Sequence, residues 1–149
     1  MGKLIDLQKR NGFKISAKTV SSAEITIYAP IGQDFWGEAI SASSFSRELD
    51  SLPDTITNID VRLNSPGGDV FDGITIYNRL RQHKASVTVY VDGMAASIAS
   101  IIALAGDEIV MGEGAQFMIH KPMSFGFGNN LDFEALIDRL NDVEDQLGS

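Results

Sequence analysis

No part of this 149-residue chain is more restricted in side-chain size than Asp92-Gly93-Met94-Ala95-Ala96-Ser97-Ile98-Ala99-Ser100-Ile101-Ile102-Ala103-Leu104-Ala105-Gly106. It follows a β-branched run, Val87-Thr88-Val89-Tyr90-Val91, which predicts a buried strand. Gly93 permits a sharp turn. From Ser97 onward the residues suit a helix, with Gly106 expected as its C-cap. The product is strand, tight turn, helix, with a serine at the turn. Small neighbours (Ala95, Ala96, Ala99) leave room for a second backbone to approach. A hydroxyl at a helix start lies near unpaired N–H groups, which can stabilise an oxyanion. Two readings of Ser97 stay open at this point: a small residue that allows close packing, or a nucleophile.

The totals narrow the choice. A chain of this length forms one domain, expected here over residues 1–149, and buries roughly 70% of its extended surface. A net charge of −8 argues against nucleic acid as the main partner, because phosphate binding needs a basic face. The absence of cysteine excludes disulfides, thiol catalysis and thiolate metal sites. His83 and His120 are far apart in sequence, so neither a metal nor a cofactor is expected. Met1 to Arg10 lacks the continuous apolar core of a signal peptide. The longest mainly apolar run, residues 93–105, is too short to span a bilayer. A cytoplasmic protein with no membrane partner is expected.

Phe13–Lys18 and Glu24–Ala29 alternate and predict strands. Pro30, Gly32 and Gly37 break the next stretch, where Trp36 reads as a hydrophobic plug under a loop. A helix is predicted over 43–51, with Ser41 or Ser43 as N-cap and Pro53 ending it. Ile59–Leu63 alternates as a strand, Asn64-Ser65-Pro66-Gly67-Gly68-Asp69 breaks it, and a helix over 69–82 follows. Two short strands are predicted at about 108–111 and 116–119. They lead to His120-Lys121-Pro122 and a glycine-rich loop. The final helix, 131–147, places Phe133, Leu136, Leu140, Val143 and Leu147 on a heptad-like seam. That seam packs either on its own body or on a second subunit. Alternating strands and helices give an α/β class with a largely parallel sheet.

A serine nucleophile needs a base, a group that orients the base, and donors for the oxyanion. His120, at a predicted strand end, is the only reasonable base. His83 sits at a helix end, where a cationic imidazole would be structural. Gly67 and Gly68 let backbone N–H groups point into a cleft and let a substrate backbone come close. Both turns would fall at the C-terminal ends of strands, where sites gather in α/β sheets.

Asn64-Ser65-Pro66-Gly67-Gly68, then Gly93-Met94-Ala95-Ala96-Ser97-Ile98-Ala99-Ser100, then Met118-Ile119-His120-Lys121-Pro122 resemble the motif series of the Clp protease proteolytic subunit family. Ile27-Tyr28, Asp34-Phe35-Trp36-Gly37 and Asp69-Val70-Phe71-Asp72-Gly73 resemble more closely its head-maturation (prohead) branch in tailed phages and prophages. The resemblance covers about residues 24–147. It implies the ClpP/crotonase-like fold of stacked ββα units and a serine endopeptidase. Ser97 would be the nucleophile and His120 the general base. The N–H groups of Gly68 and Ile98 would form the oxyanion hole, shaped by Gly67. A polypeptide substrate would lie as an added strand, and capsid or scaffold proteins would be its natural targets. The terminal helix corresponds to the handle through which rings of subunits meet, so a homo-oligomer is implied.

One departure bears on activity. The family's third triad member is an aspartate downstream of the handle helix, and no aspartate of this chain can be carried over to it. Asp69, Asp72, Asp92 and Asp107 lie near the motifs, but their spacing does not make them orienters of His120. The ending at Gly148-Ser149 therefore reads as a truncation or fragment, with the chain itself weakly active or inactive. Losing the orienting aspartate costs about 10⁴ in kcat in trypsin. Two other classes remain as alternatives: a non-catalytic oligomerisation subunit, and a crotonase-type acyl-CoA enzyme.

Overall fold

The computed structural model describes residues 12–33, 39–121 and 128–148. The predicted Trp36 plug and most of the glycine-rich loop lie outside them. The chain divides into two compact units, Met1–Ile119 and His120–Ser149.

The first unit is a six-stranded sheet. Strands β1 (Phe13–Ala17) and β2 (Ser22–Ile27) form an antiparallel hairpin. Its turn is fixed by Thr19 Oγ1, which accepts from the N–H groups of Ser21 and Ser22. β3 (Asn58–Ser65) runs parallel to β2, and β4 (Ser86–Ala96) runs parallel to β3. The free edge of β4 is shared in sequence by β5 (Glu108–Met111) and β6 (Gln116–Met118), both parallel to it.

Period-two alternation decides which face is covered. Ile25, Ile27, Ile59, Val61, Leu63, Val87, Val89 and Val91 point to one face and are buried. Their neighbours Glu24, Thr26, Asp60, Arg62, Thr88 and Tyr90 form an open polar face. Helices complete the core. α1 (Ala42–Asp50) is capped by Ser41, whose Oγ accepts from the Ser44 N–H, and buries Ala42, Phe45 and Leu49. α2 (Val70–Gln82) is capped by Asp69 and buries Gly73, Ile76 and Leu80. Gly73 has no side chain because a Cβ there would collide with the side chain of Ile98. That absence lets α2 lie against the start of α3 (Ile98–Ala103).

The end of α3 departs from expectation. Its C-cap is Leu104 in a right-handed conformation, not Gly106. Gly106 is instead a close-approach site: a Cβ there would meet the Glu108 carbonyl oxygen at 2.6 Å and the Val89 side chain at 2.9 Å.

In the second unit, α4 (Asn130–Gly148) starts at a reciprocal cap. Asn129 Oδ1 accepts from the N–H groups of Leu131 and Asp132, and Asp132 Oδ2 accepts from the Asn129 N–H. No residue of α4 is buried. No helix among the described residues is long and apolar enough to cross a membrane.

Candidate functional site

Ser97 occupies the junction of β4 and α3 at φ 57° and ψ −130°. It is the one non-glycine residue with positive φ among the described residues. A side chain in that region costs about 1–3 kcal/mol and persists only where neighbours enforce it. Here three contacts do so. The Ser97 N–H donates to the Met118 carbonyl of β6 at 2.8 Å. The Ser97 carbonyl accepts from the Ser100 N–H at 3.0 Å and from the Ser100 hydroxyl at 2.5 Å, and Ser100 is fully buried. The Ser97 hydroxyl does not cap α3, so Oγ is not committed to the helix end.

The second turn lies directly against the first. Gly67 has φ +89°, and a Cβ on it would stand 2.6 Å from the Ala96 carbonyl oxygen, 2.7 Å from Ser97 Cβ and 3.1 Å from the Ile98 nitrogen. Gly68 has φ +150°, and a Cβ there would collide with the Ile31 carbonyl. Ile31 brackets this turn: its N–H donates to the Gly67 carbonyl and its carbonyl accepts from the Asp69 N–H, each at 2.9 Å. Glycine is therefore required at both positions by backbone conformation and by space together.

Gly67, Gly68, Ser97 and Ile98 are thus brought together within the first unit. The Gly68 N–H donates no hydrogen bond among the described residues. The Ile98 N–H, at the first position of α3, has no partner within the helix. The two backbone donors next to this contact, on Gly68 after Gly67 and on Ile98 after Ser97, have no partner among the described residues.

His120 belongs to the second unit. Its Nδ1 lies 2.7 Å from the carbonyl oxygen of Lys121. A carbonyl can only accept, so Nδ1 is the donor in this contact. Lys121 itself pairs with Glu144 of α4 at 2.8 Å, which raises the Lys121 pKa.

His83 plays a different part, for a reason other than the one expected. Its Nδ1 accepts from the Ala85 N–H at 3.0 Å, which requires an unprotonated nitrogen. Burial, with Lys84 and Arg79 nearby, pushes its pKa below the usual histidine value. The ring is thus a neutral brace between α2 and β4, not a cation at a helix end. It lines a cleft of about 410 Å³ with Arg81, Lys84, Ser86 and Asp107, at the opposite end of β4 from Ser97. Arg81 faces Asp107 and Lys84 faces Asp54, each at 3.8 Å, so the charges there are internally matched.

The aspartates near the motifs are engaged elsewhere. Asp69 caps α2, Asp92 pairs with Arg62, and Asp107 Oδ2 accepts from the Val87 N–H at 2.8 Å. Sequence reasoning missed two residues that build the site. Ser65, fully buried, donates to the Ala29 carbonyl at 2.7 Å and accepts from the Gly67 N–H at 3.2 Å. Asn64 Oδ1 accepts from the Met94 N–H at 3.1 Å. Both sit in the breaker cluster before Pro66, where polar side chains commonly bond nearby backbone. That habit was the available signal, although the partners on β4 and the Ala29 loop were not legible.

The Clp protease family model matches residues 8–149. The ATP-dependent Clp protease proteolytic subunit of Leuconostoc citreum is 35% identical over 98 residues, covering 63% of this chain and 49% of that protein. The subunit of the same description from Ligilactobacillus salivarius is 28% identical over 138 residues, covering 89% of this chain and 66% of that protein. The chain thus spans from about half to about two thirds of the length of these relatives. A ClpP1 mutant from Listeria monocytogenes has the same fold, with a TM-score of 0.68 at 24% identity over 86% of this chain and 68% of that one. By motif order and by the family match over nearly its whole length, the chain belongs to the Clp protease family.

Proposed function

We propose that the chain carries the nucleophile and base of a Clp-type serine endopeptidase. Ser97 Oγ attacks a peptide carbonyl while His120 Nε2 takes its proton. The N–H groups of Gly68 and Ile98 bind the oxyanion. His120 then protonates the leaving amine, and water releases the acyl group by the same steps in reverse. The observation that carries this reading is the Ser97 turn itself: a strained serine, with a hydroxyl free of its helix, backed by Gly67, with the N–H groups of Gly68 and Ile98 unpartnered among the described residues. The Nδ1 contact of His120, which does not use Nε2, and its place in the chain two residues after Met118, whose carbonyl holds the Ser97 N–H, support the base assignment.

Hydrolysis of a fluorogenic peptide, followed over hours so that slow turnover registers, tests the reading. The expected result is slow turnover by the wild-type chain and none by Ser97→Ala. Turnover that persists in Ser97→Ala would overturn it.

Head maturation is the finer form of the proposal. It places the substrate among capsid or scaffold proteins, in the host cytoplasm or an assembling procapsid. Its support is the resemblance at Ile27-Tyr28 and Asp69–Gly73; the third stretch, residues 34–37, lies outside the described residues. Cleavage of cognate capsid precursor faster than of an unrelated unfolded protein is the result this form requires.

Homo-oligomerisation through α4 belongs to the same proposal. Leu131, Phe133 and Ile137 are exposed, and Leu136, Leu140, Val143 and Leu147 are only half-buried. An apolar stripe left open to water favours a partner. Sedimentation should show an assembly, and a monodisperse monomer at high concentration would remove this part.

A further inference from the structure

On the open face of the sheet, one side-chain cluster ties three strands together just below the two turns. Arg62 of β3 grips Asp92 of β4 with both arms of its fork: Nε to Oδ2 at 2.9 Å and Nη2 to Oδ1 at 2.5 Å. The Tyr28 hydroxyl, just past β2, donates to the same carboxylate. The guanidinium also lies 4.6 Å from the centre of the Tyr90 ring. Parallel, planar donors matched to a carboxylate make this pair stronger and more directional than an ordinary surface contact. The hydrogen bond to Asp92 raises the pKa of both Arg62 and Tyr28.

The place of the cluster gives it a consequence. β3 and β4 stay in simple register from Asn58 and Ser86 up to Leu63 and Val91. The next pair is Ser65 with Ala95, so β4 takes four steps where β3 takes two. The extra residues of β4 form a bulge at Asp92-Gly93-Met94. Asp92, its first residue, is the one Arg62 holds. Asn64 holds Met94, and Gly93 sits against the Asn64 side chain. β5 pairs with β4 before the bulge, and β6 pairs with it from the last bulge residue, Met94, onward. Ser97 and Gly67 lie three residues beyond Met94 and Asn64, and five beyond Asp92 and Arg62. A bulge next to a site re-aims the residues on its far side, and a one-residue slip moves the strand by about 3.3 Å.

We propose that Arg62 and Asp92 are positioning residues: their paired contact sets how far β4 advances past β3, and so seats the Ser97 turn against Gly67. The inference rests on Ser97 as nucleophile. It predicts that the pair governs the reactivity of Ser97 beyond any effect on folding.

The test is the kinetics of covalent labelling by a fluorophosphonate, separated into the first-order rate and the half-saturating concentration. Arg62→Gln and Asp92→Asn should each lower the first-order rate about 10- to 100-fold, the scale of a misplacement near 1 Å, with half-saturation unchanged. Arg62→Lys, which keeps the charge but not the fork, should fall between. Ile59→Val, in the core near the start of β3, serves as a stability control: it should lower the unfolding temperature and leave labelling at 20 °C as in wild type. Wild-type labelling in Asp92→Asn and Arg62→Gln would overturn the proposal. A loss in Ile59→Val equal to theirs would overturn it too, by showing a general effect of stability. If Ser97→Ala labels as well as wild type, the nucleophile reading fails instead, and the two failures are distinct.

Discussion

Gly67→Ala is expected to fold less stably and to lose most of the reactivity of Ser97. A non-glycine residue at φ +89° carries about 1–3 kcal/mol of strain. In a domain of this size each kcal/mol lowers the unfolding temperature by about 2–4 °C. The added methyl would also press on the Ala96 carbonyl and on Ser97 Cβ, at 2.6 and 2.7 Å. Relief requires the two turns to part. A shift near 1 Å is enough to cost about 10²-fold in rate. Thermal unfolding and fluorophosphonate labelling of the same preparation measure both effects. An alanine variant with wild-type stability and labelling would show that the turns are not in contact as described.

His120→Ala should leave the fold intact and slow labelling and peptide hydrolysis by about 10²- to 10⁴-fold, the range of general-base assistance. The side chain is exposed, so its removal opens no cavity. Circular dichroism and the unfolding temperature should match wild type. Unchanged labelling in His120→Ala would mean that Ser97 is activated by another group. His83→Ala is the useful contrast: it removes the brace to the Ala85 N–H and should act on stability without touching the reaction.

The strands and helices were legible because each is set by local pattern. Alternation at Glu24–Ala29 and Ile59–Leu63, an N-cap at Ser41 or Ser43, and Pro66-Gly67-Gly68 as a breaker all act through neighbours in sequence. The features that escaped depend on contacts made at a distance. Ser97 looks like the first residue of a helix but lies just outside it, in the positive-φ region. Its conformation is enforced from β6 and from buried Ser100, neither of which a local pattern reports. The two extra residues of β4 are invisible until β3 is set beside it, and so is the pairing of Arg62 with Asp92. Gly106 resembled a helix cap, yet its size is dictated by Val89 and Glu108. His83 reads in sequence as a structural cation, whereas its Nδ1 accepts from a nearby N–H and burial lowers its pKa, neither of which a local pattern reports.

Ser97 is proposed as a nucleophile held in a strained turn. Treating the chain with a fluorophosphonate and locating the adduct by tandem mass spectrometry tests it most directly. One adduct on Ser97, absent from Ser97→Ala and from heat-unfolded protein, is the predicted result. Modification of another serine, or of Ser97→Ala at the wild-type rate, would contradict it.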